Sequence, residues 1–176
     1  MHHDTIDETQ ALEILNQAVN VRGFFMAAVD IIQQSVETLM KRIFLKDDFA
    51  VQSVVGPLLQ QSGPLGDLSV RLKLLFGLGA LPSEIYYDII KFVEIRNFLN
   101  NEAVEYQFTD SAIMAQLKDI SKMQAYAYLT PTLDSDAEED MAFYQMQQER
   151  QHQMLKSGLC LAVIEICQAL DKESPF

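Results

Sequence analysis

Three histidines and two cysteines are the side chains best suited to nucleophilic, acid–base or metal chemistry in this 176-residue chain, and their placement favours none of the three. His2 and His3 are terminal, His152 stands in a glutamine-rich run, and Cys160 and Cys167 lack metal-ligand spacing. Seven apart on one helix, the two thiols share a face about two turns from each other, too far for an intrahelical disulfide, and read as reduced core residues. No Gly-x-Ser-x-Gly elbow, His-Glu-x-x-His helix or glycine-rich phosphate loop is present. Gly77-Leu78-Gly79 lacks the third glycine of a dinucleotide fingerprint, follows a helix and runs into Pro82. Carboxylates are abundant, but in so acidic a chain their proximity in sequence carries no catalytic information. The sequence therefore supplies no catalytic, cofactor-binding or metal-binding residue, and the expectation is a protein that is not an enzyme.

Charge narrows the partners. The net charge is −12, from 25 acidic and 13 basic residues, and the bases are scattered. A domain that grips DNA by itself concentrates positive charge, because counterion release from phosphates supplies most sequence-independent affinity. Direct DNA binding is thus disfavoured. The one local cluster, Lys41-Arg42 with Lys46, reads as a solvated helix C-terminus favoured by the helix dipole. The 49% of apolar residues fall in short periodic groups with no uninterrupted run of about 20, so no membrane span is expected. The polar, acidic start, Met1-His2-His3-Asp4, lacks the pattern of a secretion signal, and a cytoplasmic location follows as an expectation.

The elements that must position any function are helical, and the expectation is an all-α, single-domain bundle of about six to seven helices over residues 1–176. Thr5 to about Asn16 forms a short amphipathic helix. A longer one from about Asn20 to Leu45 carries Phe24, Phe25, Ala28, Ile31, Ile32, Val36, Leu39 and Met40 three or four apart. Within it Asp30, between Val29 and Ile31, is a candidate buried ion-pair partner for Arg96 or Arg71; a helix-edge carboxylate is the alternative. Asp47 or Asp48 caps a third helix that Gly56-Pro57 kinks or breaks.

Gly63-Pro64-Leu65-Gly66-Asp67 then makes a turn and cap, Leu68 to Phe76 a helix placed centrally in the fold, and Gly79 with Pro82 its stop. Asp67 and Arg71 read as a helix cap and a solvated pair, with Arg71 reaching another helix as the alternative, and Gly77 as permitting close helix approach. Another helix runs from Pro82 to Phe98. Val104, Tyr106 and Phe108 alternate without a partner strand and read as an ordered loop, after which Thr109 caps a helix through Ile120. Residues 125–136 read as a mobile surface loop leading through acidic Asp134 to Asp140 into a long final helix, about Glu138 to Leu170. The first half of that helix, with Gln145, Gln147, Gln148, Gln151, Gln153, Met141, Met146 and Met154, reads first as a solvated helix extension, with an adaptable face for a partner helix as the alternative.

The stretch Gly63-Pro64-Leu65-Gly66-Asp67-Leu68-Ser69-Val70-Arg71-Leu72-Lys73-Leu74, followed by Gly77-Leu78-Gly79, resembles the signature of the mannitol operon repressor family of bacterial regulators. The likeness extends over Phe44 to Val51 and over Glu105 to Asp110. It implies an all-helical protein that lowers expression of genes for mannitol uptake and oxidation. Gly63, Pro64, Leu65, Gly66, Asp67, Arg71, Lys73, Gly77 and Gly79 are its family-signature residues, structural or interacting. With the acidic charge and no basic recognition helix, the expected mode is contact with another protein: a phosphotransferase-system phosphocarrier or a DNA-bound regulator. A homo-oligomer that binds operator DNA directly is the first alternative. The second comes from Glu94-Ile95-Arg96-Asn97-Phe98-Leu99-Asn100-Asn101, which resembles the Arg-Asn-x-x-x-His motif of the HEPN superfamily and implies an HEPN-like RNA-binding relative. Asn101 stands at the histidine position and has no titration near neutral pH, so such a relative would lack the catalytic group.

Overall fold

The computed structural model describes residues 7–126 and 141–172. Among these are seven α-helices, one 3-10 turn and no strand. The helices are α1 (Glu8–Gln17), α2 (Val21–Phe44), α3 (Phe49–Leu59), α4 (Leu68–Gly77), α5 (Ser83–Asn101), α6 (Ser111–Leu117) and α7 (Met141–Lys172); the 3-10 turn is Ser121–Met123. The loop expected over residues 125–136 and the acidic stretch to Asp140 lie largely outside the described residues.

Local chemistry sets most boundaries. Asp7, Asn20, Asp48 and Asp67 each accept a backbone N–H of the following helix through a side-chain oxygen, which satisfies donors that have no partner within the helix. α6 differs from expectation: its N-cap is Asp110, not Thr109, and the Asp110 carboxylate turns back to accept the Gln107 N–H at 2.8 Å. Pro57 lies inside the last turn of α3 without ending it before Leu59.

The middle of the bundle is α2, not α4. Val21, Phe24, Phe25, Ala28, Val29, Ile31, Ile32, Val36, Leu39 and Met40 are all buried, and α2 packs against α1, α3, α4, α5 and α7. A wide apolar stripe of this kind drives the packing of a long helix. α4 buries only Arg71, Leu72 and Leu75, while Val70, Phe76 and Leu78 remain exposed. Its short length leaves one narrow inward face. Phe24, Phe25, Phe92 and Phe108 form a run of ring contacts with centroids 5.4 to 5.7 Å apart, joining α2, α5 and the segment before α6. The alternating segment at Val104 to Phe108 is a loop, anchored by buried Phe108 and by Tyr106 against Phe98.

The second half of α7 supplies Leu155, Leu159, Ala162, Val163, Ile166 and Leu170 to the core. An 18-residue window of this helix is apolar enough in composition to cross a membrane, but half of that window is buried inside the bundle. His152 lies edge-on to Phe108 at 5.0 Å. Burial first, and the Lys156 charge second, hold its imidazole below its ordinary pKa. In the pH interval between that lowered value and about 6.5 the unfolded chain holds more protons than the folded one, so stability falls as pH falls through the interval. Urea titrations at pH 7.5 and 5.5 should show this slope in the native chain and a shallower one in His152→Gln. In the core, Phe92→Ala should lose about 3 to 5 kcal/mol by the same measurement.

Candidate functional site

The signature residues build a bracket between α3 and α4. Gly63 N–H donates to Gln60 O, Leu65 N–H to Leu58 O and Gly66 N–H to Gly63 O, folding the chain back on the end of α3. The crowding there dictates glycine: a Cβ on Gly63 would meet Pro57 O at 2.3 Å, and one on Gly66 would meet Gln61 O at the same distance. Asp67 accepts from Ser69 N–H at 2.8 Å and Val70 N–H at 3.2 Å, starting α4. At the other end, Gly79 has φ 71°, its N–H donates to Phe76 O, and Ala80 N–H donates to Leu75 O. This is a Schellman closure, which requires the left-handed conformation that glycine adopts without steric cost.

Arg71 is the centre of the bracket and does not pair with Asp67. It is 3% exposed, and its Nε and Nη2 donate to Leu65 O and Leu59 O, each at 2.6 Å. A guanidinium thus holds the turn and the last residue of α3 together, where the helix presents carbonyls without partners and the negative end of its dipole. The sequence carried a signal for this: Arg71 continues the apolar row Leu68, Leu72 and Leu75. Gly77 departs from expectation, since a Cβ there would meet nothing within 4 Å, and it makes no close helix contact. Lys73 and Pro64 are exposed.

The Asp30–Arg96 pair is not formed. Asp30 is exposed because it lies in the row Met26, Asp30, Gln34, spaced by four on the outward side of α2. Arg96 is half-buried and donates to Asn97 Oδ1 at 3.1 and 3.3 Å, and Asn101 is exposed at the end of α5. The buried acid is instead Asp88, 2% exposed, which accepts Ser121 N–H at 2.9 Å and Ser121 Oγ–H at 2.5 Å and so ties α5 to the 3-10 turn. Its place in the stripe Ile85, Ile89, Phe92 was the available clue.

The basic residues are largely committed within the fold. Arg22 donates to Leu99 O in the last turn of α5 and to Glu102 O and Val104 O just after it, and pairs with Glu105. Arg42 donates to Leu170 O and Asp171 O at the end of α7, so half of the Lys41-Arg42 cluster is a packing device and not a solvated terminus. Lys156 donates to Asn16 O and Ala18 O at the end of α1. Lys41 pairs with Glu37, Lys91 with Glu94 and Asp119, and Lys122 with Glu165 and Glu84. Glu165 first, then Glu84, hold the Lys122 ammonium above its ordinary pKa. Burial raises both the Cys160 and Cys167 thiols, and Cys167 is only half-buried, not a full core residue.

Two outward faces remain. α3 has no charged residue and buries only Leu59, leaving Phe49 84% and Val54 67% exposed; Val70 and Phe76 of α4 and its C-cap Leu78 are also exposed. The first half of α7 exposes Met141, Phe143, Met146 and Met154, with Gln148 donating to the Tyr144 hydroxyl at 2.8 Å. Among the described residues no group of His, Cys, Asp and Glu could hold a metal ion.

The described residues thus define an all-helical bundle with a built turn–helix bracket and apolar outer faces. The family model described as mannitol repressor matches residues 7–171, and the chain belongs to that family. It is 36% identical over 177 residues to the mannitol operon repressor of Escherichia coli (strain K12), covering 98% of this chain and 89% of that protein. It is also 30% identical over 160 residues to a Shigella flexneri protein named Fumarase E, covering 90% of this chain and 94% of that one. Among solved structures, the MtlR–HPr complex from Escherichia coli matches with a TM-score of 0.85 and 37% identity over 93% of this chain and 97% of that one. A possible transcriptional regulator, YggD from Shigella flexneri, matches with a TM-score of 0.77 and 28% identity over 94% and 99%.

The geometry separates the signature glycines. Gly63→Ala should destabilise the chain by about 1 to 3 kcal/mol, since backbone oxygen has to move. Gly77→Ala should be neutral or stabilising by about 0.5 kcal/mol. Arg71→Ala should lose about 3 kcal/mol, leaving buried carbonyls unsatisfied. Urea unfolding of the three variants checks the order.

Proposed function

We propose that this chain is a repressor of mannitol or related sugar-alcohol genes that acts in the cytoplasm, as one domain, through protein contact and without gripping operator DNA itself. The observation that carries the reading is its likeness, over nearly the whole chain, to a relative crystallised with HPr, a phosphotransferase-system phosphocarrier. Charge supports it: Arg22, Arg42, Arg71 and Lys156 are engaged at helix ends, and the exposed Lys46, Lys73, Lys118, Arg150 and Lys172 are scattered, only the last two sharing an element, in opposite halves of α7. Such a distribution gives phosphates no basic face to bind. The partner face we favour is the exposed first half of α7, where methionines adapt to a neighbour and glutamines supply hydrogen bonds without desolvating a charge.

Purified chain should bind an HPr-type phosphocarrier, and Met141→Glu with Met146→Glu should weaken that binding about tenfold or more without lowering thermal stability. Deleting the gene should raise expression of mannitol genes, and the chain alone should not shift the mannitol promoter on a low-salt gel. Absence of phosphocarrier binding together with unchanged mannitol genes would discard the reading. The relatives named Fumarase E favour a second reading, an enzyme. It predicts turnover when fumarate absorbance is followed with purified protein; the regulatory reading predicts none.

A further inference from the structure

α3 lies on the surface in the reverse of the usual arrangement. A surface helix turns an apolar stripe inward and a charged face outward. α3 carries no charge at all and buries only Leu59, while Phe49 is 84%, Val54 67% and Leu58 38% exposed. At 100° per residue, Ala50, Ser53 and Pro57 fall in one narrow outward strip, all three exposed. Phe49 flanks this strip on one side, Val54 and Leu58 on the other. Small residues along the middle let another backbone come close, and large apolar ones at the sides close over it.

Charge selects the occupant. At net charge −12, two copies of this chain repel over most of their surface, and α3 is a stretch where they can meet without opposing carboxylates. A charged partner finds nothing complementary there. A lipid surface is disfavoured too, because anionic headgroups repel an acidic chain and α3 brings them no lysine or arginine.

The ends of the helix give a direction. Asp47 and Asp48 precede it and Gln60 and Gln61 follow it, all four exposed. In a parallel pair the acids of the two copies would face each other. In an antiparallel pair centred between Ser53 and Val54, Phe49 falls opposite Leu58, Ala50 opposite Pro57 and Asp47 opposite Gln60, so that an amide donor meets the carboxylate. The helix dipoles then also oppose each other in direction. Such a contact is the same patch on both copies, the symmetry of a two-fold dimer. The exposed length from Lys46 to Gln61 offers on the order of 600 Å² per copy, about 1,200 Å² in all, the lower bound of a specific interface. A dimer of that size is reversible.

We propose that α3 is a homodimer interface, two copies packing antiparallel along Ala50, Ser53 and Pro57 with Phe49 of each against Leu58 of the other. The contact leaves the first half of α7 free, and it does not rest on the regulatory reading.

The experiment is sedimentation velocity of the full chain across a concentration series. Expected is a reversible passage from the mass of one chain to that of two, tightened by added salt, which screens the repulsion between acidic copies. Ser53→Glu should weaken the dimer about tenfold or more, by bringing two carboxylates together at the centre, while thermal unfolding shows the exposed position tolerates it. Direction is read by oxidative cross-linking, with the native chain as background for Cys160 and Cys167. Ala50→Cys mixed with Pro57→Cys should cross-link, and Ala50→Cys alone should not. A single-chain mass at every concentration, a dimer indifferent to Ser53→Glu, or Ala50→Cys joining itself in preference overturns the proposal. So does a monomer that binds phosphatidylcholine vesicles or an HPr-type phosphocarrier through α3, shown by loss of that binding in Ser53→Glu.

Discussion

A helix ends in carbonyls that have no partner of their own, and in this protein other helices supply one. Arg71 of α4 closes α3, Arg22 of α2 closes α5, Arg42 of α2 closes α7, and Lys156 of α7 closes α1. Each contact combines a hydrogen bond with the attraction between a cation and the negative end of a helix dipole. Each also fixes where one helix stops relative to the flank of another. Hydrophobic stripes decide that helices meet but tolerate sliding; a guanidinium on two carbonyls sets register as well as contact.

The apolar core and these polar ties are complementary. α2 is buried along its length and touches nearly every other element, so it bears the packing, and it also carries Arg22 near its start and Arg42 near its end. One long helix therefore orders both the interior and two remote helix ends. Asp88 plays the opposite role with opposite sign, accepting two hydrogen bonds from Ser121 and anchoring the 3-10 turn on α5. A buried carboxylate is tolerated because its oxygens are satisfied.

This use of cations has a consequence outside. With Arg22, Arg42, Arg71 and several lysines drawn into helix ends and ion pairs, the surface of a chain with net charge −12 is left acidic or neutral, interrupted by the apolar α3 and the methionine-rich start of α7. Such a surface suits protein partners more than a polyanion. Membership of the mannitol repressor family and the likeness to a relative bound to HPr agree with that character.

By itself the sequence determined the helical class, most helix starts and the family. Those follow from short-range causes: a carboxylate two or three residues before free amides, apolar residues at three and four, glycine where φ must be positive. It did not determine which helix lies at the centre, nor what Arg71, Asp30, Asp88 and Gly77 touch. Periodicity gives a residue a face but names no neighbour, so spacing offers Asp67 as a partner for Arg71, whereas the fold brings the carbonyls of Leu59 and Leu65 to it. Asp30, one position off the buried row, turned out solvated, and Gly77 faced open space. Only the tertiary structure brought α2, α7 and the first turn of α1 together around Arg42, because the chain separation between them leaves no local trace.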